Sequence, residues 1–225
     1  MSKDCCSSFW KTSITKKVLM SITGFILCLF ILGHLIGNSL MFIGADIFNN
    51  YGHKLMSNPF IYVIEAILGI IFLTHVYNAI KLTIENYVAR PEKYYMKVRS
   101  GRGATFASST MIYTGSAILI FLIIHLINFK FGPVYIGTFD GTQMRDLHKL
   151  MLEFYQNKLN VIFYVGLMIV LAIHISHGVW SLCQSVGFNF DPYMKYIKIK
   201  AKFFAVLVAV GFSSYAIWAS LQGGF

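Results

Sequence analysis

The sequence predicts an all-α integral membrane protein with five transmembrane helices, and three observations carry that prediction. The 225 residues are 56% hydrophobic and 12% charged, with a mean hydropathy of +0.64, whereas roughly 25% of a soluble domain is charged. The charges are segregated, which leaves five long apolar runs. Those runs lack the alternation of barrel strands, so their backbone must satisfy its hydrogen bonds in hydrocarbon as helices.

The runs are Val18–Ile43, Phe60–Ile80, Ala104–Phe129, Leu159–Phe190 and Phe203–Phe225. Each reaches the ~20 residues needed to cross about 30 Å of hydrocarbon. Glu65, in the second run, is the one carboxylate or basic residue they contain. Helices are expected over 18–43, 60–86, 104–130, 159–188 and 203–223, in a single membrane domain covering 1–225. Lys16 and Lys17 before the first run resemble a signal-peptide flank. That run is too long for a signal and has no small-residue cleavage site, so it is expected to remain as the first span. No repeat or low-complexity tract is expected.

Basic residues set the orientation. The N-terminal tail carries Lys3, Lys11, Lys16 and Lys17; the second–third loop Arg90, Lys93, Lys97, Arg99 and Arg102; the fourth–fifth loop Lys195, Lys198, Lys200 and Lys202. The positive-inside rule then puts the N-terminus in the cytoplasm and the C-terminus outside. The same placement accounts for the net charge of +10 and argues against a nucleic-acid surface. Cys5, Cys6, Cys28 and Cys183 have no metal-site or disulfide-framework spacing and read as incidental thiols.

An ionisable group at membrane depth is costly and calls for a partner or a function. His34, His75, His125 and His174 lie one on each of the first four helices, with His177 also on the fourth. A single such histidine is explained by an interhelical hydrogen bond; one on each of four helices is harder to explain that way. At 1.5 Å per residue, His75 and His174 lie about 22 Å from the external ends of their helices, His34 about 14 Å and His125 about 6 Å. They separate into an outer pair, His34 with His125, and an inner pair, His75 with His174. Two imidazoles facing each other at one depth are the axial ligands of a b-type haem. Two such pairs make a di-haem bundle and an electron path across the bilayer. A metal-ion transporter would want the histidines converging on one site with carboxylates. Gly24 and Gly115 each precede a histidine by ten residues, and each leaves room at the inner level for a porphyrin edge or for close helix packing.

The chain resembles the single-polypeptide, two-haem cytochrome b membrane subunit of bacterial succinate:quinone oxidoreductases, the succinate dehydrogenases and quinol:fumarate reductases. The residues that carry the likeness are Gly33-His34-Leu35-Ile36-Gly37-Asn38, then Ala45 to Phe60 with Phe48-Asn49 and Gly52-His53, and Glu65 ten residues before His75. They continue as Ala89-Arg90-Pro91 with Tyr94, His125-Leu126, and His174-Ile175-Ser176-His177-Gly178-Val179-Trp180-Ser181 running to Gln184. Five helices is the family's count, and the ordered set is more specific than any one motif.

The resemblance implies that His34, His75, His125 and His174 are haem iron ligands. His177 is placed towards a haem propionate, with an interhelical hydrogen bond as the alternative. It implies a flavoprotein and an iron–sulfur subunit on the cytoplasmic face, a bacterial inner membrane, and a dimer of heterotrimers. Dicarboxylate chemistry would belong to those partners, and this chain would pass electrons between them and menaquinone or menaquinol. The quinone is expected near the outer haem, with Glu65 as proton acceptor and His53 beside it; Lys54 and His148 are further candidates. The alternative for Glu65 is a structural, hydrogen-bonded carboxylate. Some fumarate reductases carry a glutamate two residues before the fourth ligand; here that position is Ala172, which puts that route of proton compensation in doubt. A competing reading is the haem b anchor of a hydrogenase or formate dehydrogenase. A haem-free membrane protein with hydrogen-bonded histidines is a third.

Overall fold

The computed structural model describes residues 12–89, 106–188 and 191–222. Lys3, Lys11, Cys5, Cys6, the Arg90-Pro91 motif with Tyr94, and Lys93, Lys97, Arg99 and Arg102 lie outside them. Helix α1 spans Ser13–Ser39; it starts where Thr12 accepts a hydrogen bond from the Thr15 amide, and it ends in a 3-10 turn, Leu40–Phe42. Gly44, at φ 146°, turns the chain into α2, Ala45–Met56. A side chain there would be strained. Pro59 precedes α3, Phe60–Val88. One helical turn, Phe106–Ser109, leads into α4, Met111–His125, which continues as a π-turn over Leu126–Lys130.

A hairpin follows, β1 Ile136–Phe139 and β2 Thr142–Arg145, paired antiparallel. Asp140 and Gly141 take φ of 49° and 76°, the pair of positive values that a two-residue hairpin turn needs. Asp146 caps α5, Leu147–Gln156, and Asn157 caps α6, Lys158–Ser185. Helix α7 covers Asp191–Leu221. Five helices are long and apolar enough to cross a membrane: Ser13–Phe42, Phe60–Val88, Met111–Lys130, Lys158–Ser185 and Pro192–Leu221.

The first and last spans start earlier than the sequence expectation. Helix α7 begins twelve residues earlier, so Lys195, Lys198, Lys200 and Lys202 lie on its first turns and not in a loop. Helix α1 likewise takes in Lys16 and Lys17. Charge marks where hydrocarbon ends, but lysine is a good helix former and lets the helix run past that point.

Small residues set the packing. Ala201, Ala205, Val208, Ala216 and Ala219 of α7 are buried, as suits helices that gain little from hydrophobic association in lipid and rely on close contact. A Cβ on Gly211 would come within 2.7 Å of Leu35, and the Tyr215 hydroxyl donates to the Leu35 carbonyl at 2.6 Å. This fixes α7 against α1 one residue beyond His34. The most apolar stretches of α3 and α4 contain no buried residue. Exposed Ile64, Ile67, Ile70 and Leu73 on α3 present the surface expected towards lipid.

One end of the bundle, at the C-terminal ends of α1 and α4, is capped by α2, the hairpin and α5. Asn49, fully buried, donates to Asp146 Oδ1 at 2.8 Å and accepts from the His148 amide at 3.0 Å. The Arg145 guanidinium donates to the carbonyls of Phe129, Lys130, Gly132 and Pro133, gathering groups that the π-turn leaves unpaired. Replacing Asn49 with Ala removes the link between α2 and α5 and is expected to cost about 1–3 kcal/mol. Thermal unfolding in detergent should show a lower midpoint.

Candidate cofactor site

Two of the four helix histidines meet directly, and the other two lie at a second level of the bundle. His34 of α1 and His125 of α4 meet with ring centroids 5.9 Å apart and planes at 88°. His75 of α3 and His174 of α6 lie within electrostatic reach of each other near the middle of their helices. Among the described residues no group of three or more His, Cys, Asp or Glu converges as a metal-ion site.

The mid-bundle pair is held by threonines on neighbouring helices. His75 Nδ1 lies 3.1 Å from Thr23 Oγ1 of α1, and His174 Nδ1 lies 3.1 Å from Thr114 Oγ1 of α4. Each hydroxyl is also placed to give its single proton to its own helix. Thr23 donates to the Leu19 or Met20 carbonyl, and Thr114 to that of Thr110 or Met111. With that proton engaged, the hydroxyl can only accept from the imidazole. That arrangement would put the hydrogen on Nδ1 of His75 and His174 and leave the Nε2 lone pair for a ligand.

The adjacent glycines complete the seat. A Cβ on Gly24 would meet His75 Cε1 at 3.3 Å, and one on Gly115 would meet His174 Cε1 at 3.3 Å. The room expected for a porphyrin edge is thus taken by the imidazoles themselves, because the glycines let the rings approach their threonines.

The capped-end pair sits among aromatic rings. Phe30 stacks on His34 at 5.5 Å and Phe212 lies 5.7 Å away. Phe121, Phe129 and Tyr164 surround His125 at 5.6, 5.2 and 6.1 Å. His125 Nδ1 is buried with no hydrogen-bond partner among the described residues, and so is His177 Nδ1. His177 packs edge-on against Trp180 at 5.0 Å.

These contacts reveal a repeat that the sequence reading did not expect. Thr23-Gly24, Phe30 and His34-Leu35-Ile36 recur 91 residues later as Thr114-Gly115, Phe121 and His125-Leu126-Ile127. The repeat is faint because the positions between are interchangeable aliphatic residues. Thr23 and Thr114 were missed for that reason, although a Thr-Gly pair stands at the same distance before each capped-end histidine.

The residues present fit two bis-histidine haems. A metal–imidazole bond is about 2 Å, so two end to end, with the half-rings beyond them, span about 6 Å between ring centroids. The His34–His125 separation matches that span. Each histidine of the mid-bundle pair has a threonine oxygen at Nδ1, which suits a tautomer with Nε2 free for iron.

Glu65 pairs with Lys130 at the end of α4. His53 is half-buried in the last turn of α2, with exposed Lys54 beside it. An open cleft of about 550 Å3 is walled by Asn128, Phe131, Tyr135, Glu153 and Phe154. Phe154 lies 4.9 Å from Phe129, which packs on His125. The hydrogen bond to Glu153 holds the Tyr135 hydroxyl above its ordinary pKa. Cys28 and Cys183 are free, half-buried thiols facing one apolar cleft of about 250 Å3. No family model, curated protein or solved structure matches the chain.

His148 stands apart from both pairs, between Phe48 and Trp218, with Nε2 buried and unpartnered among the described residues. Burial lowers its pKa from the ordinary 6.5, against the opposing effects of Asp146 and the Met41 carbonyl. The unfolded chain therefore binds the proton more readily. His148 makes stability fall as pH drops through 6.5, and its effect levels off below the folded value. Unfolding midpoints measured from about pH 7.5 to about pH 5 should fall further in the wild type than in His148→Gln.

Proposed function

We propose that this chain is the di-haem cytochrome b membrane subunit of a succinate:quinone oxidoreductase. The observation that carries the reading is the close meeting of His34 with His125, with a threonine oxygen beside Nδ1 of both His75 and His174. Bound haem supplies one-electron chemistry and a relay between the two levels. His34 and His125 hold the outer group, His75 and His174 the inner, and the unpartnered Nδ1 of His177 is available to a propionate. The resemblance adds the partners: a flavoprotein and an iron–sulfur subunit on the cytoplasmic side of a bacterial inner membrane, where the N-terminus lies.

Menaquinol is oxidised, or menaquinone reduced, towards the capped end. Glu65, paired with Lys130, takes the quinol proton, with His53 on the same side of the membrane. The cleft beside Phe154 offers open volume next to the aromatic shell of His125.

Two experiments test the reading. A reduced-minus-oxidised spectrum should show two b-type components. Replacing His75 or His174 should remove one, and replacing His34 or His125 the other; a haem-free chain, or loss in the crossed pattern, overturns the assignment. Glu65→Gln should slow quinol oxidation with both haems retained. Unchanged turnover assigns the Glu65–Lys130 pair to structure, and slowing by Glu153→Gln in its place moves the proton acceptor into the cleft.

A further inference from the structure

We infer that Thr23 and Thr114 are positioning residues that set the reduction potential of the inner haem alone, although their helices carry the ligands of the outer one. The inference rests on the proposed haem ligation and adds a role for two residues outside the ligand set.

Each threonine does two things. Its proton is committed to a carbonyl one turn back on its own helix, so its orientation is fixed by the helix and not by the histidine. Its oxygen then accepts from Nδ1 at 3.1 Å in both halves. The accepted bond draws the Nδ1 hydrogen outward and makes the imidazole a stronger donor through Nε2. A stronger donor favours ferric over ferrous iron and holds the potential down. Both histidines have a threonine oxygen at Nδ1, His75 with the Met20 carbonyl beside it, so the two effects would act together on one iron.

The capped-end pair lacks this device. His34 and His125 are held by Phe30, Phe121, Phe129 and Phe212, and His125 Nδ1 has no partner among the described residues. The two irons would therefore differ in the hydrogen bonding of their ligands, and the threonines would hold the inner potential below the value it takes without them. Gly24 and Gly115 serve the same end, since the 3.3 Å approach of each ring is what brings Nδ1 to the hydroxyl.

The test is potentiometric titration of membranes holding the full chain with its partner subunits, followed by haem absorbance and by the low-temperature electron paramagnetic resonance of the ferric haems. Thr23→Val and Thr114→Val should each raise the midpoint of the component that His75 variants lose and shift its resonance. The other component should stay in place, and the double variant should show both displacements. Thr23→Ser and Thr114→Ser keep the accepting oxygen and should restore the wild-type midpoint. If valine removes the inner haem and serine returns it, the hydroxyl is again shown to hold the ligand. An unmoved inner component, a displaced outer one, or equal loss with valine and serine overturns the inference while the di-haem reading stands. A wild-type chain without b haem overturns both.

Discussion

The site depends on a hydrogen bond between a threonine hydroxyl and an imidazole, made once in each half of the bundle. In hydrocarbon a ring nitrogen has no water to fall back on, so an unpaired one is expensive. Thr23 and Thr114 satisfy Nδ1 of His75 and His174, and in doing so leave Nε2 aimed away from the helix that supplies the hydroxyl. Much of the local sequence serves that contact. The glycine after each threonine opens the approach, and the threonine's own bond to its helix backbone fixes its rotation. The small residues of α7 let α1 and α6 be clamped from outside without crowding the middle.

The bundle is also tied by charge. Lys16 of α1 pairs with Glu85 of α3, and Lys130 beyond α4 pairs with Glu65 of α3. Lys16 is buried, and a buried charge is tolerated only with a partner. Helix α3, which buries little apolar surface, is thus linked near both of its ends. That arrangement fits a helix that packs on α1 and leaves much of its apolar face exposed.

Much of the helical framework was legible in the sequence because hydrocarbon thickness, long apolar runs and excluded charge constrain it heavily. Depth alone separated His34 and His125 from His75 and His174, since position along a helix follows from counting. What counting could not supply was contact between helices. Thr23 and Thr114 look like ordinary polar residues in apolar runs, and their role appears only when a neighbouring helix brings a histidine alongside. The early start of α7 was hidden by its lysines, which read as a loop. The capping hairpin was hidden by its brevity, with Asp140-Gly141 as its one local signal.

Arg145 gives the capping layer a mechanical meaning. Its guanidinium grips the carbonyls of Phe129 and Lys130 from the hairpin, four and five residues beyond His125. The π-turn lies between that grip and His125. Its counterpart on α1 is anchored separately, by Tyr215 at the Leu35 carbonyl. Each partner of the capped-end pair is thus tied from outside its own helix, one by a hairpin arginine and the other by an α7 tyrosine.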